Sequence, residues 1–275
     1  MPNFCMSVIV ADLAEFLEQS SALTVLTGAG VSTASGIPDY RDRNGKSKVK
    51  TPIQFQEFTG SRRMRQRYWA RSFVGWQRFS KAEPNAAHRA LAELESRGKV
   101  DMLVTQNVDG LHREAGSRKL IHLHGDLAGV ICLQCDRRIL RRDYQQQLQA
   151  ANTDWHARVF SLRPDGDAEL AEENLEGFVV PGCDDCDGML KPDVVLFGEN
   201  VPRQRVADAS DSVARSDALL ILGTSLMVFS GFRFARQASE LGIPIAIVNQ
   251  GKTRADDMAT IKLDADCAEI LPTLM

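Results

Sequence analysis

Short apolar runs recur along the chain, separated by longer stretches in which apolar residues return every three or four positions. Ala22–Thr27, Val100–Thr105, Val194–Phe197, Ala218–Leu222 and Pro244–Asn249 are rich in Val, Ile and Leu and lack polar alternation. Such runs fit strands of a parallel sheet buried on both faces. Between them, Val8–Ser20 places Val10, Leu13, Phe16 and Leu17 at helical spacing. Asn85–Gly98 starts after Pro84 and ends on glycine, as helix punctuation predicts. Arg203–Arg215 and Phe232–Leu241 also read as helices. The alternation predicts an α/β fold with a doubly wound parallel sheet. Residues 126–190 break the rhythm with two cysteine pairs and a polar, Asp/Glu-rich middle. They read as a smaller inserted module, which leaves 1–125 and 191–275 for the sheet domain.

Composition narrows the class. The chain has 275 residues, a formal charge of −3, 44% hydrophobic and 25% charged residues. These values are ordinary for a soluble globular protein with a full core. Mild acidity gives no support to direct nucleic-acid binding by phosphate neutralisation. The arginines of Arg62-Arg63-Met64-Arg65 read as a solvated helix face. No apolar run approaches the roughly 20 residues of a membrane span, and no membrane partner is expected. The N-terminus shows neither a secretory nor an Arg-rich transit pattern. A cytoplasmic protein is expected; a trimmed mitochondrial matrix chain would look the same.

The first apolar run ends in Gly28-Ala-Gly-Val-Ser-Thr-Ala-Ser-Gly-Ile-Pro-Asp-Tyr-Arg41. Glycines after a strand let the backbone approach a pyrophosphate. The dinucleotide fingerprint asks for a third glycine where this chain has Thr33, so the loop alone also fits a structural turn. Three further run ends are polar: Thr105-Gln-Asn-Val-Asp109, Gly223-Thr-Ser225 and Asn249-Gln-Gly251. Ligands of open α/β sheets bind at such strand ends, and a polar ligand with riboses and phosphates suits these residues. Each taken singly is an ordinary cap or turn.

Cys132/Cys135 and Cys183/Cys186 form two Cys-x-x-C units, whereas Cys5 and Cys267 stand alone. Two such units supply the four soft ligands of a structural Zn2+; reduced thiols or a redox pair are the alternatives. Four thiolates close the zinc sphere, which leaves His122 and His124 unused by the metal. Both fall on one parity of a strand over Lys119–His124, and His124 lies at its end, before Gly125. That end should open on the same crevice as the glycine loop, which makes His124 the candidate base.

Taken in this order, the motifs resemble the sirtuin family of NAD-dependent protein deacylases. The resemblance covers roughly residues 20–272. It is carried by Gly28–Arg41, Thr105–Asp109, His124-Gly125, the two cysteine pairs, Lys191-Pro-Asp-Val-Val-Leu-Phe-Gly198 and Gly223–Ser225. Arg65–Arg71 and Thr253–Asp257 are similar to the class II branch, which includes the mitochondrial lipoamidase-type sirtuin. Tyr40 stands where many relatives have Phe. The resemblance implies a Rossmann-like sheet, with part of 37–80 forming a helical cofactor-loop module.

It also implies roles. NAD would be held by Gly28, Ala29, Gly30, Ile37, Pro38, Asp39, Tyr40, Arg41, Gln106, Asn107, Val108, Asp109, Gly223, Thr224, Ser225, Asn249, Gln250, Gly251 and Cys267. His124, with Asn107, would be catalytic. Val195, Phe197, Gly198 and Glu199 would line a cleft for acylated lysine of protein substrates. The products would be free lysine, nicotinamide and O-acyl-ADP-ribose, and a monomer is expected. Protein ADP-ribosyl transfer, a conventional dehydrogenase and a zinc-ribbon adaptor stand as alternative functions.

Tyr68 and Arg71 lie three residues apart on a predicted helix and so share a face. Desuccinylating relatives carry a Tyr-x-x-Arg pair in a similar place. The pair therefore predicts acceptance of acidic acyl groups such as succinyl or glutaryl. An exposed Arg71 beside a core Tyr68 is the structural alternative.

Overall fold

The computed structural model describes residues 2–48, 52–156, 159–162, 166–170 and 175–275. Its strands are β1 (Leu23–Thr27), β2 (Val100–Thr105), β3 (Leu120–His122), β4 (Gly125–Cys132), β5 (Arg138–Leu140), β6 (Val159–Leu162), β7 (Ala168–Leu170), β8 (Leu190–Val194), β9 (Ala218–Leu222), β10 (Ile245–Val248) and β11 (Ile261–Leu263). The helices are α1 (Pro2–Gln19), α2 (Phe55–Gly60), α3 (Arg62–Phe79), α4 (Ala86–Ser96), α5 (Leu111–Glu114), α6 (Arg141–Ala151), α7 (Arg203–Arg215), α8 (Phe229–Glu240) and α9 (Cys267–Ile270).

Six parallel strands form the main sheet in the order β11-β10-β9-β1-β2-β3. The order reverses between β1 and β9, the switch point at which such sheets open a crevice. The unbroken apolar runs are explained by burial on two faces. Along β9, Ala218, Leu220 and Leu222 pack with Leu13, Leu17, Leu91 and Leu94 from α1 and α4. Leu219 and Ile221 point the other way, to Val213 of α7 and to Phe234 and Ala235 of α8. Both parities of a strand must then be apolar. Asn85 caps α4 by accepting from Ala87 N at 2.9 Å, as the Pro84-Asn85 boundary predicts.

One predicted strand is placed differently. Val194–Phe197 does not join the parallel sheet. The strand there is β8, which pairs antiparallel with β4 in a separate sheet of order β5-β4-β8. An apolar run records burial, not the partner that buries it, so the two environments look alike in sequence. The small sheet shares a core with α2 and α3: Phe58, Tyr68 and Trp69 pack with Val130, Tyr144 and Leu190. The cysteine segment and the helices after the glycine loop thus make one packed body. Part of the polar middle of 126–190 lies outside the described residues.

Gly125 joins the two sheets. Its φ is +89°, and a Cβ there would lie 2.1 Å from the Asp193 carbonyl oxygen. Only glycine tolerates both conditions, and the turn fixes His124 at the sheet edge through Val195 N donating to His124 O at 2.8 Å. Gly125→Ala is expected to destabilise the fold by at least about 1 kcal/mol, read as a lowered denaturation midpoint. An unchanged midpoint would show that the turn relaxes freely.

Candidate active site

A cavity of about 460 Å³ lies along the C-terminal ends of the central strands. Its floor is built by two interlocked glycine turns. Gly28 N donates to Leu222 O at 3.0 Å and Gly30 N to Gly223 O at 2.8 Å. A Cβ on Gly30 would lie 2.9 Å from Gly223 Cα, and one on Gly28 would lie 2.6 Å from Thr224 Cβ. The glycines therefore serve close backbone approach first. The amides of Ala29, Thr224 and Ser225 make no hydrogen bond within the described residues, which leaves donors at the switch point for an anionic group.

Of the predicted cofactor residues, Gly28, Ala29, Gly30, Ile37, Asp39, Tyr40, Arg41, Gln106, Asn107, Val108, Asp109, Gly223, Thr224, Ser225, Asn249 and Gln250 line this cavity. Three do not. Pro38 borders a separate hollow of about 240 Å³ beside Phe79. Gly251, at φ +85°, admits the Arg43 backbone, whose carbonyl oxygen would lie 2.2 Å from a Cβ there. Cys267 is buried under β10, its thiol donating to Val248 O at 3.5 Å, and burial pushes that thiol up to about 12. All six predicted substrate residues, Tyr68, Arg71, Val195, Phe197, Gly198 and Glu199, face the cavity.

The polar end is a connected network. Gln106 Nε2 donates to Thr224 Oγ1 at 3.1 Å and to Thr27 O at 3.2 Å. Asn107 Nδ2 donates to Gly28 O and to Ser32 Oγ, each at 3.1 Å. Ser32 Oγ in turn donates to Asp109 Oδ2 at 2.7 Å. Burial pushes the Asp109 carboxyl above its usual range, against the hydrogen bonds from Leu111 N and Ser32.

His124 is held by both ring nitrogens. Nδ1 lies 2.9 Å from Gln106 O. A carbonyl only accepts, so the proton sits on Nδ1 and Nε2 carries the lone pair. Ser230 Oγ donates to Nε2 at 2.8 Å. Burial lowers the imidazole below its ordinary value; the Gln106 carbonyl opposes and Arg205 reinforces this. His124 is thus a neutral base at pH 7, with Nε2 on the cavity side. His122 lies outside the cavity lining. Ser32, Ser230 and Asp167 were not legible as site residues, because single hydroxyls and a lone Asp carry no spacing signal.

Behind this network sit two buried histidines, His88 and His112, with ring centroids 4.7 Å apart. Burial lowers His88 to about 4, and Arg89 adds to that; burial likewise holds His112 well below its usual value.

The four paired cysteines converge. Their sulfurs all lie within 4.8 Å of one another, with Cys132–Cys186 at 3.6 Å and Cys135–Cys183 at 3.7 Å. A tetrahedron with Zn–S bonds of about 2.3 Å requires sulfurs about 3.8 Å apart, so the donors fit zinc. Each Cys-x-x-C unit is followed by an aspartate in the left-handed region, Asp136 at φ 60° and Asp187 at φ 55°. Each of these amides closes its turn on the first cysteine's carbonyl. Gly188 is required, because a Cβ would lie 2.8 Å from Cys132 Sγ.

Fold and site together define a Rossmann-like α/β protein with a dinucleotide-sized crevice, a neutral histidine at its edge and a four-cysteine module. The Sir2 family model matches residues 28–230, and the chain belongs to that family. It is 54% identical over 256 residues to the NAD-dependent protein deacetylase of Bordetella bronchiseptica, covering 93% of each chain. It is 48% identical over 268 residues to the bovine NAD-dependent protein lipoamidase sirtuin-4, mitochondrial, covering 96% of this chain and 85% of that one. A solved structure of Sir2 bound to acetylated peptide superposes with a TM-score of 0.79 at 29% identity, over 97% of both chains.

Two outcomes follow. Cys183→Ser is expected to lower bound zinc, measured by elemental analysis, and to lower the melting temperature, since structural zinc contributes folding energy. A zinc-free wild-type protein would end that assignment. His88 takes up its proton more readily unfolded than folded. Its contribution to stability is therefore present above pH 6.5 and lost as pH falls toward about 4. Denaturation series across this window should show a shallower loss in His88→Gln than in wild type.

Proposed function

We propose that this chain is an NAD-dependent protein lysine deacylase, yielding nicotinamide and O-acyl-ADP-ribose. The observation that carries the reading is the proton-locked His124, whose Nε2, met by Ser230 Oγ, borders a cavity floored by interlocked glycine turns. The donors fit NAD: the open amides of Ala29, Thr224 and Ser225 suit its phosphates, and Asn249 suits a ribose. Bound there, NAD would supply a ribose carbon made electrophilic by departure of nicotinamide. Gln106, Asn107 and Asp109 would hold the nicotinamide end, with Asn107 oriented by Gly28 O and Ser32. His124 Nε2 would accept a proton from a ribose hydroxyl, and its lowered affinity keeps it unprotonated for that task.

The acyl-lysine would enter over an extended segment. Lys191, buried, pairs with Glu199 at 3.0 Å, and Glu199 accepts from Leu196 N at 2.9 Å. This pair stiffens Val195–Gly198 as a rail for a substrate backbone. Phe197 on this rail is exposed, and exposed Val228 and Phe229 line the same cavity. Tyr68 and Arg71 would meet the far end of the acyl chain. Zinc would stabilise the module through Cys132, Cys135, Cys183 and Cys186 and take no part in catalysis. The same reading takes the enzyme as a monomer acting in the cytoplasm. No helix among the described residues is long and apolar enough to cross a membrane.

The test is mass spectrometry of NAD incubated with acylated lysine peptides. Nicotinamide and O-acyl-ADP-ribose are expected as products, and ADP-ribosylated protein without deacylation would overturn the reading. His124→Ala should lower turnover about 100-fold to 10,000-fold while zinc content stays at the wild-type level. His122→Ala should be far milder.

A further inference from the structure

The deep end of the cavity holds a buried ion pair. Tyr68 and Arg71 reach it from α3, and one turn later Gly75 presents no side chain. A Cβ on Gly75 would lie 2.1 Å from Gly166 O and 2.7 Å from the Asp167 carbonyl carbon. The gap lets the segment entering β7 lie directly on α3. Arg71 Nε donates to Ala168 O at 3.1 Å, and Asp167 Oδ2 stands 3.8 Å from the same nitrogen. The two side chains are only 5% and 4% exposed, yet both border the cavity. The walls leading to them are apolar: Ile53, Val108, Leu127, Val194 and Leu196.

A second buried arginine also feels this carboxylate: Asp167 interacts electrostatically with Arg141. Arg141 is fully buried, donates to Gln145 Oε1 and Ser72 O, and stacks on Trp69 and Trp76. It is not part of the cavity lining.

We propose that Asp167 is a specificity-determining residue of the acyl pocket: its carboxylate occupies Arg71, so the pocket takes uncharged acyl chains and rejects those ending in a carboxylate. The proposal rests on the reading of the chain as a lysine deacylase. An uncharged chain ends against an Arg71 that already has a carboxylate beside it. A succinyl carboxylate would bring a second anion onto one guanidinium in an enclosed, largely apolar space, where like charges are costly. The sequence offered Arg71 as a free fork for an acidic acyl group; in the fold that fork faces an internal carboxylate. Asp167→Asn keeps the side-chain shape, removes one negative charge and leaves the guanidinium for the substrate carboxylate.

The experiment compares kcat/KM on one peptide carrying acetyl-, butyryl- or succinyl-lysine; the last two match in chain length and differ in the terminal carboxylate. Wild type is expected to prefer butyryl over succinyl by about tenfold or more. Asp167→Asn is expected to raise the succinyl-to-butyryl ratio by about tenfold or more, and adding Arg71→Met should abolish that rise. A wild type that cleaves acetyl-lysine but works as well on succinyl as on butyryl overturns the proposal alone. So does an unchanged or lowered ratio in a folded Asp167→Asn, with folding checked by melting temperature and zinc content. If Asp167→Asn does not fold, the wild-type ratio decides. A wild type that cleaves none of the three peptides overturns the deacylase reading, and the proposal with it.

Discussion

The site depends on two glycine turns pressed together at the sheet's switch point. Gly30 donates to Gly223 O, and a Cβ on Gly223 would lie 2.4 Å from Val31 N. This contact sets where Thr224 stands. Thr224 Oγ1 receives Gln106 Nε2, Gln106 O receives the His124 proton, and His124 Nε2 receives Ser230. Gly231 completes the circuit, since a Cβ there would lie 2.4 Å from Gln106 Oε1. The orientation of the base is therefore set by backbone packing of strands far from it in sequence.

A second consequence is electrostatic. The crevice sits on a buried polar layer rather than on hydrocarbon. Thr27 Oγ1 donates to Thr105 Oγ1 at 2.8 Å and contacts His112 Nε2 at 2.9 Å, while Ser32 links Asn107 to Asp109. Buried networks of this kind hold geometry when satisfied. Here the histidines stay neutral and Asp109 is disfavoured as an anion, so burial sets the protonation states around the cavity before any ligand arrives.

The cysteine module and the helices following the glycine loop share one core, so the cysteine cluster and the Tyr68–Arg71 end of the cavity are mechanically joined. Trp69 of α3 donates to Leu190 O at 3.1 Å, a few residues from Cys186, and Tyr144 donates to Pro181 O, just before Cys183. Tyr68 is in edge contact with Trp69 and Trp69 with Tyr144, which carries that order toward the cavity. A metal held by the four cysteines would bear on the shape of the pocket without lining it.

The sequence by itself determined the elements whose physics is local. Unbroken Val/Ile/Leu runs marked β1, β2, β9 and β10, because burial on both faces leaves no polar parity. Pro84-Asn85 marked the start of α4, and two Cys-x-x-C units marked the thiolate cluster. Glycines and polar residues at strand ends marked most of the crevice, and Tyr68 and Arg71 were legible as one face of a helix. What required the tertiary structure was every choice among partners. The apolar run at Val194 paired with β4 instead of the large sheet, since hydrophobicity does not encode its neighbour. Ser230 met His124 across 106 residues and Asp167 met Arg71 across 96, and neither separation leaves a periodic trace. Those long-range polar contacts, which hold the His124 ring at Nε2 and place a carboxylate beside Arg71, exist only once the chain has closed around them.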